Sequence, residues 1–259
     1  MHPLDSARER LKRANENIVN LNGEVTDFLA PFPRLKTTEI NRVWSDDETQ
    51  TFEELKKLSR DSKVPPRLSV LVGEIIHHLR SAFDHAAWQL SSPAARNDPK
   101  IAKYIEFPVF PKEPKRGTED KPSSYDRKVK GIRSFTALIR IDELQPYKRA
   151  DPLNHPLWLI HDMDIFDKHR ELNLVVVAIG TSIRATGKQR VRAVKDSATG
   201  GMRIIGATGP QKVEVYVELS AQVTFSNVGT RENEPTIPLL QQLSGFAADS
   251  VELFSSEFA

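Results

Sequence analysis

The sequence predicts an α+β fold, in which a helical, bundle-like unit is followed by an antiparallel sheet of about four strands covered by a C-terminal helix. Apolar residues recur at helical spacing through the first two thirds of the chain, whereas the pattern after residue 172 alternates and is rich in Val, Ile and Thr. We therefore expect a helical unit over residues 1–171, with a basic, Pro-rich insertion at about 94–150. The sheet and last helix occupy 172–259, packed with the first unit as one body.

Individual elements follow from periodicity and from the prolines that flank it. The predicted helices cover residues 6–30, 47–60, 67–91, 125–144, 157–170 and 239–256. The predicted strands lie within residues 172–183, 189–196, 201–207 and 212–227. We expect the helices at 6–30, 67–91 and 157–170 to pack together, with the last helix against either the sheet or the bundle.

The composition is that of a globular protein, with 39% hydrophobic and 28% charged residues and a net charge of +2. The chain has no cysteine, which excludes disulfides, thiolate zinc sites and a cysteine nucleophile. It has neither the apolar core of a signal peptide nor an uninterrupted apolar run long enough to span a membrane. These features predict a soluble, cytoplasmic protein without a membrane partner.

Positive charge is concentrated in the insertion, where residues 94–149 contain 14 Lys or Arg against 8 Asp or Glu. We expect its basic side chains to attract phosphates if the partner is a nucleic acid. The candidate nucleic-acid-binding residues are Lys112, Lys115, Arg116, Lys121, Arg127, Lys128 and Lys130. Tyr125 is nearly the only aromatic residue of the segment 112–130, so base stacking is poorly supported by the sequence.

Five of the seven histidines lie in two short segments, residues 74–85 and 160–170, together with several Asp and Arg residues. Generic core packing gives no reason for such a concentration. Besides the residues of the motif described next, the polar cluster contains His77, His78, Asp167, His169 and Arg170. Arg170 continues an apolar stripe of its helix, so we expect it to be buried and paired with a carboxylate, Asp84 being the first choice.

Residues 80–85, Arg-Ser-Ala-Phe-Asp-His, form an R-x4-H hexapeptide within a predicted helix. It resembles the arginine–histidine motif of the HEPN superfamily, helical bundles that include RNA-cleaving toxins and defence nucleases. The resemblance implies a metal-independent endoribonuclease, a toxin or phage-defence effector, which acts on RNA as a homodimer and needs no cofactor. It makes Arg80, Asp84 and His85 the candidate catalytic residues. RNA cleavage by internal transfer needs the base and the cation that such residues supply.

A second resemblance is closer. The segments LRSAFDHAAWQL and HPLWLIHDMDIFDKHREL are similar to those of a group of bacterial proteins with no activity to carry over, and this supports treating 74–90 and 155–172 as one site. Two alternatives stay open. The cluster is either a structural polar network in a non-catalytic interaction module, or a metal site of a helical hydrolase, built on His161-x2-Asp164 and His77-x6-Asp84.

Overall fold

The structure is a computed structural model. It describes residues 2–32, 35–37, 54–55, 57–118, 120–170, 172–180, 192–195, 202–205, 217–226 and 234–258. Contacts divide the chain into two compact units. The first comprises Met1–Val25, Pro65–Leu174 and Phe225–Ala259, and the second comprises Thr26–Val64 and Val175–Thr224. The predicted domain division after residue 171 stays a prediction.

The described part of the chain is mainly helical. The helices are α1 (Asp5–Leu29), α2 (Pro66–Leu90), α3 (Pro93–Asn97), α4 (Pro99–Ala102), α5 (Ser124–Val129), α6 (Phe135–Glu143), α7 (Pro156–His169) and α8 (Thr236–Glu252). Short 3-10 turns cover Pro146–Lys148, Pro152–Asn154 and Ser255–Phe258. Prolines occupy the first turn of α2, α3, α4 and α7, where a missing backbone N–H leaves no helical hydrogen bond unmade.

The core of the first unit is formed by α2, which packs against α7 and α8, while α7 and α8 also contact each other. One stripe of α2, including Val72, Ile76, Leu79 and Phe83, is fully enclosed. Side-chain contacts join α1 to the same unit; Asn17, for example, donates a hydrogen bond to Glu74 of α2. The predicted packing of the helix at 67–91 against those at 6–30 and 157–170 is confirmed.

The helix predicted over 125–144 is instead two helices, α5 and α6, separated by residues 130–134. Gly131 lies in this break, where a Cβ atom would come within 2.7 Å of the Ser91 hydroxyl. Ser91 also pairs with Ile132 in an isolated β-bridge, so the break fits the end of α2. Of the helix predicted over 47–60, residues 54–55 and 57–60 are helical, and the remainder lies outside the described residues.

The predicted α+β architecture is wrong. In the described residues the strands are β1 (Leu35–Thr37), β2 (Leu174–Gly180), β3 (Arg192–Lys195), β4 (Met202–Ile205) and β5 (Val217–Phe225). They form two small sheets, a three-stranded one in the order β1-β5-β2 and an antiparallel β3-β4 pair. The alternating pattern correctly predicted the positions of β2 to β5. These strands do not form one sheet, however, and β5 pairs antiparallel with β1, which precedes α2 in sequence. The C-terminal helix α8, predicted to cover the sheet, packs against α2 and α7, so the fold is helix-rich.

The N-terminus of α7 depends on a buried histidine. His155 is the N-cap, and its Nδ1 accepts a hydrogen bond of 3.3 Å from the backbone N–H of Leu157. Its ring lies edge-on to Phe246 of α8. Burial, followed by the charge of Arg149, lowers the pKa of His155 to about 4.

This histidine makes the stability of the protein sensitive to acid. An unfolded histidine binds a proton below about pH 6.5, whereas His155 in the folded chain binds one only below about pH 4, so its stabilisation is complete above pH 6.5 and is lost as the pH falls through this window. We expect the free energy of unfolding to fall by roughly 2 kcal/mol more between pH 6.5 and 4 in the wild type than in His155→Asn, which keeps a capping acceptor. Urea denaturation at each pH measures this difference, and identical pH profiles would contradict the assignment.

Candidate functional site

The candidate site is the polar face that α2 and α7 present to each other, together with the segment that follows α4. Helical spacing places His77, Ser81 and Asp84 on one side of α2. On α7, the same spacing aligns His161, Asp164 and Lys168. The two helices approach closely, since a Cβ atom at Gly73 would lie 2.4 Å from the Asp167 carboxylate. Glycine at position 73 therefore leaves the space that Asp167 occupies.

Asp164 is the organising residue of this face. It is 3% exposed, and its two carboxylate oxygens have different partners. Oδ1 lies 3.2 Å from Nδ1 of His77, and Oδ2 accepts a hydrogen bond of 2.6 Å from Nζ of Lys168. A buried carboxylate therefore holds an imidazole and an ammonium side by side.

The His77 ring is oriented by this contact. Because the carboxylate of Asp164 only accepts, the neutral imidazole carries its proton on Nδ1, which leaves Nε2 as an acceptor. Ser81, one turn further along α2, lies with its Oγ 3.4 Å from Nε2. The His77 side chain is 54% exposed, so Nε2 belongs to a ring that solvent reaches. His77 thus has the geometry of a general base.

Arg80 and Asp84 form a different arrangement beside it. Nη2 of Arg80 lies 2.9 Å from Oδ1 of Asp84 and donates a hydrogen bond of 2.9 Å to the backbone carbonyl of Phe107. Asp84 in turn accepts a hydrogen bond of 2.9 Å from the N–H of Phe107. Burial raises the pKa of Asp84, and the charge of Arg80 and this N–H oppose the shift. The pair clamps both backbone groups of Phe107, whose ring packs against Phe83.

Two buried nitrogen atoms of this region have no hydrogen-bond partner among the described residues, Nη1 of Arg80 and Nδ1 of His161. Burial lowers the pKa of His161 to about 4, with further contributions from the charges of Arg80 and Lys128. His161 is therefore a neutral imidazole at pH 7. Lys128 of α5 forms an ion pair with Glu106, which lies in the segment after α4. This pair places both α5 and that segment at the edge of the polar face.

The structure does not bring Arg80 and His85 together. Arg80 is 4% exposed and is directed to Phe107, whereas Nδ1 of His85 lies 3.1 Å from the Ser6 hydroxyl of α1. The offset of five positions rotates the two side chains apart by well over a quarter turn of α2. His78 also faces α1, where Nη1 of Arg10 lies 3.5 Å from its Nδ1. Burial and the charge of Arg10 lower the pKa of both His78 and His85.

The expectation for Arg170 is wrong. It is the exposed C-cap residue of α7, and its guanidinium lies 5.8 Å from the Phe166 ring centre. The apolar stripe ends one turn earlier because the backbone leaves the helix at Arg170, with φ −152° and ψ 158°. The partner of Asp84 is Arg80, four residues earlier on the same helix. His169 is exposed as well.

The candidate nucleic-acid-binding residues differ in their surroundings. Lys112, Lys115, Lys121 and Lys130 are exposed and form no ion pair with a described residue. Arg116 stacks on Tyr125, Arg127 lies over Tyr104, and Lys128 is paired with Glu106. Sequence reasoning therefore missed Tyr104, because it precedes the basic run.

Sequence reasoning also missed the roles of Ser81, Asp164 and Lys168. The spacing His161-x2-Asp164 predicts only a metal-binding site. The described residues contain no group of three His, Asp or Glu side chains able to hold a metal ion. The described helices include none with the length and apolar character of a membrane span. The chain matches no protein-family model, no curated protein and no solved structure.

The Arg80–Asp84 pair gives a stability test. We expect Asp84→Ala to cost roughly 3–5 kcal/mol in free energy of unfolding, because it leaves the buried guanidinium without its carboxylate. Arg80→Met should cost less, since the methionine fills the site of the stem and the partly exposed Asp84 can be hydrated. Arg170→Met is the matched control and should change stability by less than about 0.5 kcal/mol. Chemical denaturation ranks the three variants, and a larger loss for Arg170→Met than for Asp84→Ala would contradict the structure.

Proposed function

We propose that the protein is a metal-independent endoribonuclease that uses His77, held by Asp164, as its general base. One observation carries the proposal: the buried carboxylate of Asp164 positions a solvent-accessible imidazole on one oxygen and the ammonium of Lys168 on the other. Internal cleavage of RNA requires these two groups, a base for the 2′-hydroxyl and a cation for the charge that develops on phosphorus oxygens. The exposed lysines of the insertion support a polyanionic substrate.

The proposed step needs no nucleophile from the protein. Nε2 of His77 takes the proton of a 2′-hydroxyl, the 2′-oxygen bonds to the adjacent phosphorus, and the bond from phosphorus to the 5′-oxygen breaks. Water supplies the proton to the leaving 5′-oxygen, and the imidazolium later returns its own proton to solvent. The products are a 2′,3′-cyclic phosphate and a 5′-hydroxyl. Lys168 stabilises the phosphorane because it lies on the same carboxylate as His77.

This proposal changes the residues that the resemblance to the HEPN superfamily implied. The guanidinium of Arg80 binds Asp84 and the backbone of Phe107, so its contacts are explained by a structural role in anchoring Phe107. His85 interacts with Ser6 on another side of α2. Homodimer formation and a toxin or defence role stay proposals that follow from the resemblance alone.

The principal test is RNA cleavage by purified variants. We expect His77→Ala to reduce the rate by about 10²- to 10⁴-fold, the usual contribution of a general base. His85→Ala and His169→Ala are matched histidine controls and should retain the wild-type rate, because neither contacts Asp164. Ser81→Ala should also remain active if the RNA supplies the nucleophile.

Two further conditions make this test sharp. A substrate with 2′-deoxyribose at the cleaved position should resist cleavage, and the wild-type rate should survive EDTA. If Arg80→Ala and His85→Ala abolish cleavage while His77→Ala does not, the assignment to His77 is wrong and the R-x4-H pair carries the activity. If the wild type cleaves no RNA with or without divalent ions, the proposal is wrong, and the polar face belongs to a non-catalytic interaction module.

A further inference from the structure

Three cation–aromatic pairs are arranged around the short helix α5. The Arg116 guanidinium lies 3.7 Å from the ring centre of Tyr125, which is the second residue of α5. Arg127 lies 5.4 Å from the ring centre of Tyr104, and Nζ of Lys128 lies 5.6 Å from that of Phe110. We call these six side chains, together with Lys103 beside Tyr104, the α5 surface. Rings and cations that are nine or more residues apart in sequence thus meet around one element.

The outer members of the α5 surface are accessible. The Arg116 side chain is 52% exposed, although its stacking partner Tyr125 is buried. Tyr104 is 38% exposed, and Lys103 also lies over its ring, with Nζ 4.9 Å from the centre. The Arg116 guanidinium lies over a buried ring while half of its side chain is exposed, so it is accessible to a further planar group.

The charges on this surface differ in their availability. The guanidinium of Arg116 lies 3.9 Å from Asp126 and 3.8 Å from Asp142, and Lys128 is paired with Glu106. Arg116 therefore offers a planar stacking surface more than an unpaired charge. In contrast, Lys103 and Arg127 are exposed and form no ion pair with a described residue. The surface combines planar groups with cations that are available to phosphates.

A chain of contacts links the α5 surface to the polar face. Lys128 lies on α5, is 15% exposed in its side chain and pairs with Glu106, the residue before Phe107. Phe107 is clamped by Arg80 and Asp84 of α2. The segment that carries Glu106 and Phe107 therefore contacts both α5 and α2.

We propose that the α5 surface binds single-stranded RNA by stacking unpaired bases on Arg116 and Tyr104, with the adjacent phosphates on Lys103 and Arg127. Only an unpaired base exposes a face to such groups, whereas a duplex keeps its bases stacked inside. The inference rests on the proposed ribonuclease function for the identity of the bound strand as substrate. Stacking does not read the 2′-hydroxyl, so single-stranded DNA should bind the same surface.

That property allows binding to be measured without cleavage. The probe is a fluorescently labelled single-stranded DNA of 12 mixed-sequence nucleotides, which has no 2′-hydroxyl and therefore resists the proposed reaction. Its dissociation constant is measured by fluorescence anisotropy for the wild type, and compared with that of the same sequence as a duplex. We expect the single strand to bind at least about 10-fold more tightly than the duplex.

The variants separate stacking from charge. Tyr104→Leu keeps an apolar side chain but removes the ring, and should weaken single-strand binding by about 5- to 50-fold. Tyr104→Phe keeps the ring and should bind like the wild type. Arg116→Lys keeps the charge but removes the plane, and should also weaken binding. Lys130→Gln is the control for an unstacked cation and should only reduce the salt dependence by about one charge.

Equal affinity for single strand and duplex, or unchanged binding in both Tyr104→Leu and Arg116→Lys, would overturn the inference. So would the absence of binding at micromolar protein in low salt. Because DNA is the probe, these outcomes are independent of His77. If single-stranded DNA binds as expected but RNA is not cleaved, the surface stands and only the ribonuclease proposal fails.

Discussion

A carboxylate enclosed between two helices must be supplied with hydrogen-bond donors, and Asp164 meets this requirement in a way that determines the surrounding site. Its oxygens are satisfied by His77 across the helix pair and by Lys168 one turn along α7. The loss of either donor would leave a buried charge with less compensation. The orientation of the imidazole, the protonated nitrogen and the position of the ammonium all follow from the location of this one group. The reactions that this face can support therefore follow from the hydrogen bonds that the buried Asp164 requires.

The neighbouring Arg80–Asp84 pair solves a different problem with the same residue types. It anchors an extended segment by binding the N–H and the carbonyl of a single residue, Phe107. That anchor brings Phe107 against Phe83 and Phe254 in the core. One border of α2 thus carries a structural pair next to a solvent-accessible dyad. Residue type alone does not distinguish them, because both combine a base with an acid.

The sequence predicted the local structure better than its assembly. The bounds of α1, α2 and α7 lie within one residue of the predicted helices, because prolines mark their limits and apolar residues fix their period. The sheet was mispredicted because alternation reveals strands but not their partners, and β1 is only three residues long. Likewise, the end of α7 at Arg170 depends on backbone angles that no apolar stripe records.

Within the site, the segments 74–85 and 160–170 were rightly predicted to meet, because His77 contacts Asp164. The pairing within that cluster was not predictable. His77 was expected only as a supporting residue, and its role depends on which side chain of α7 lies opposite. Tyr104 and Phe110 belong to the α5 surface because the fold places them beside Arg127 and Lys128. The sequence alone did not indicate this, since both residues precede the basic run.

The clamp on Phe107 also bears on how this protein can diverge. Arg80 and Asp84 bind a backbone carbonyl and a backbone N–H, and every residue except proline has both groups. The anchor therefore places few demands on the sequence of the segment that follows Phe107. The stretch beyond the anchor can gain or lose residues and charges without altering the attachment point on α2. Related chains could therefore carry insertions of very different length and charge on the same helical scaffold, and so exchange the partner surface while keeping the core.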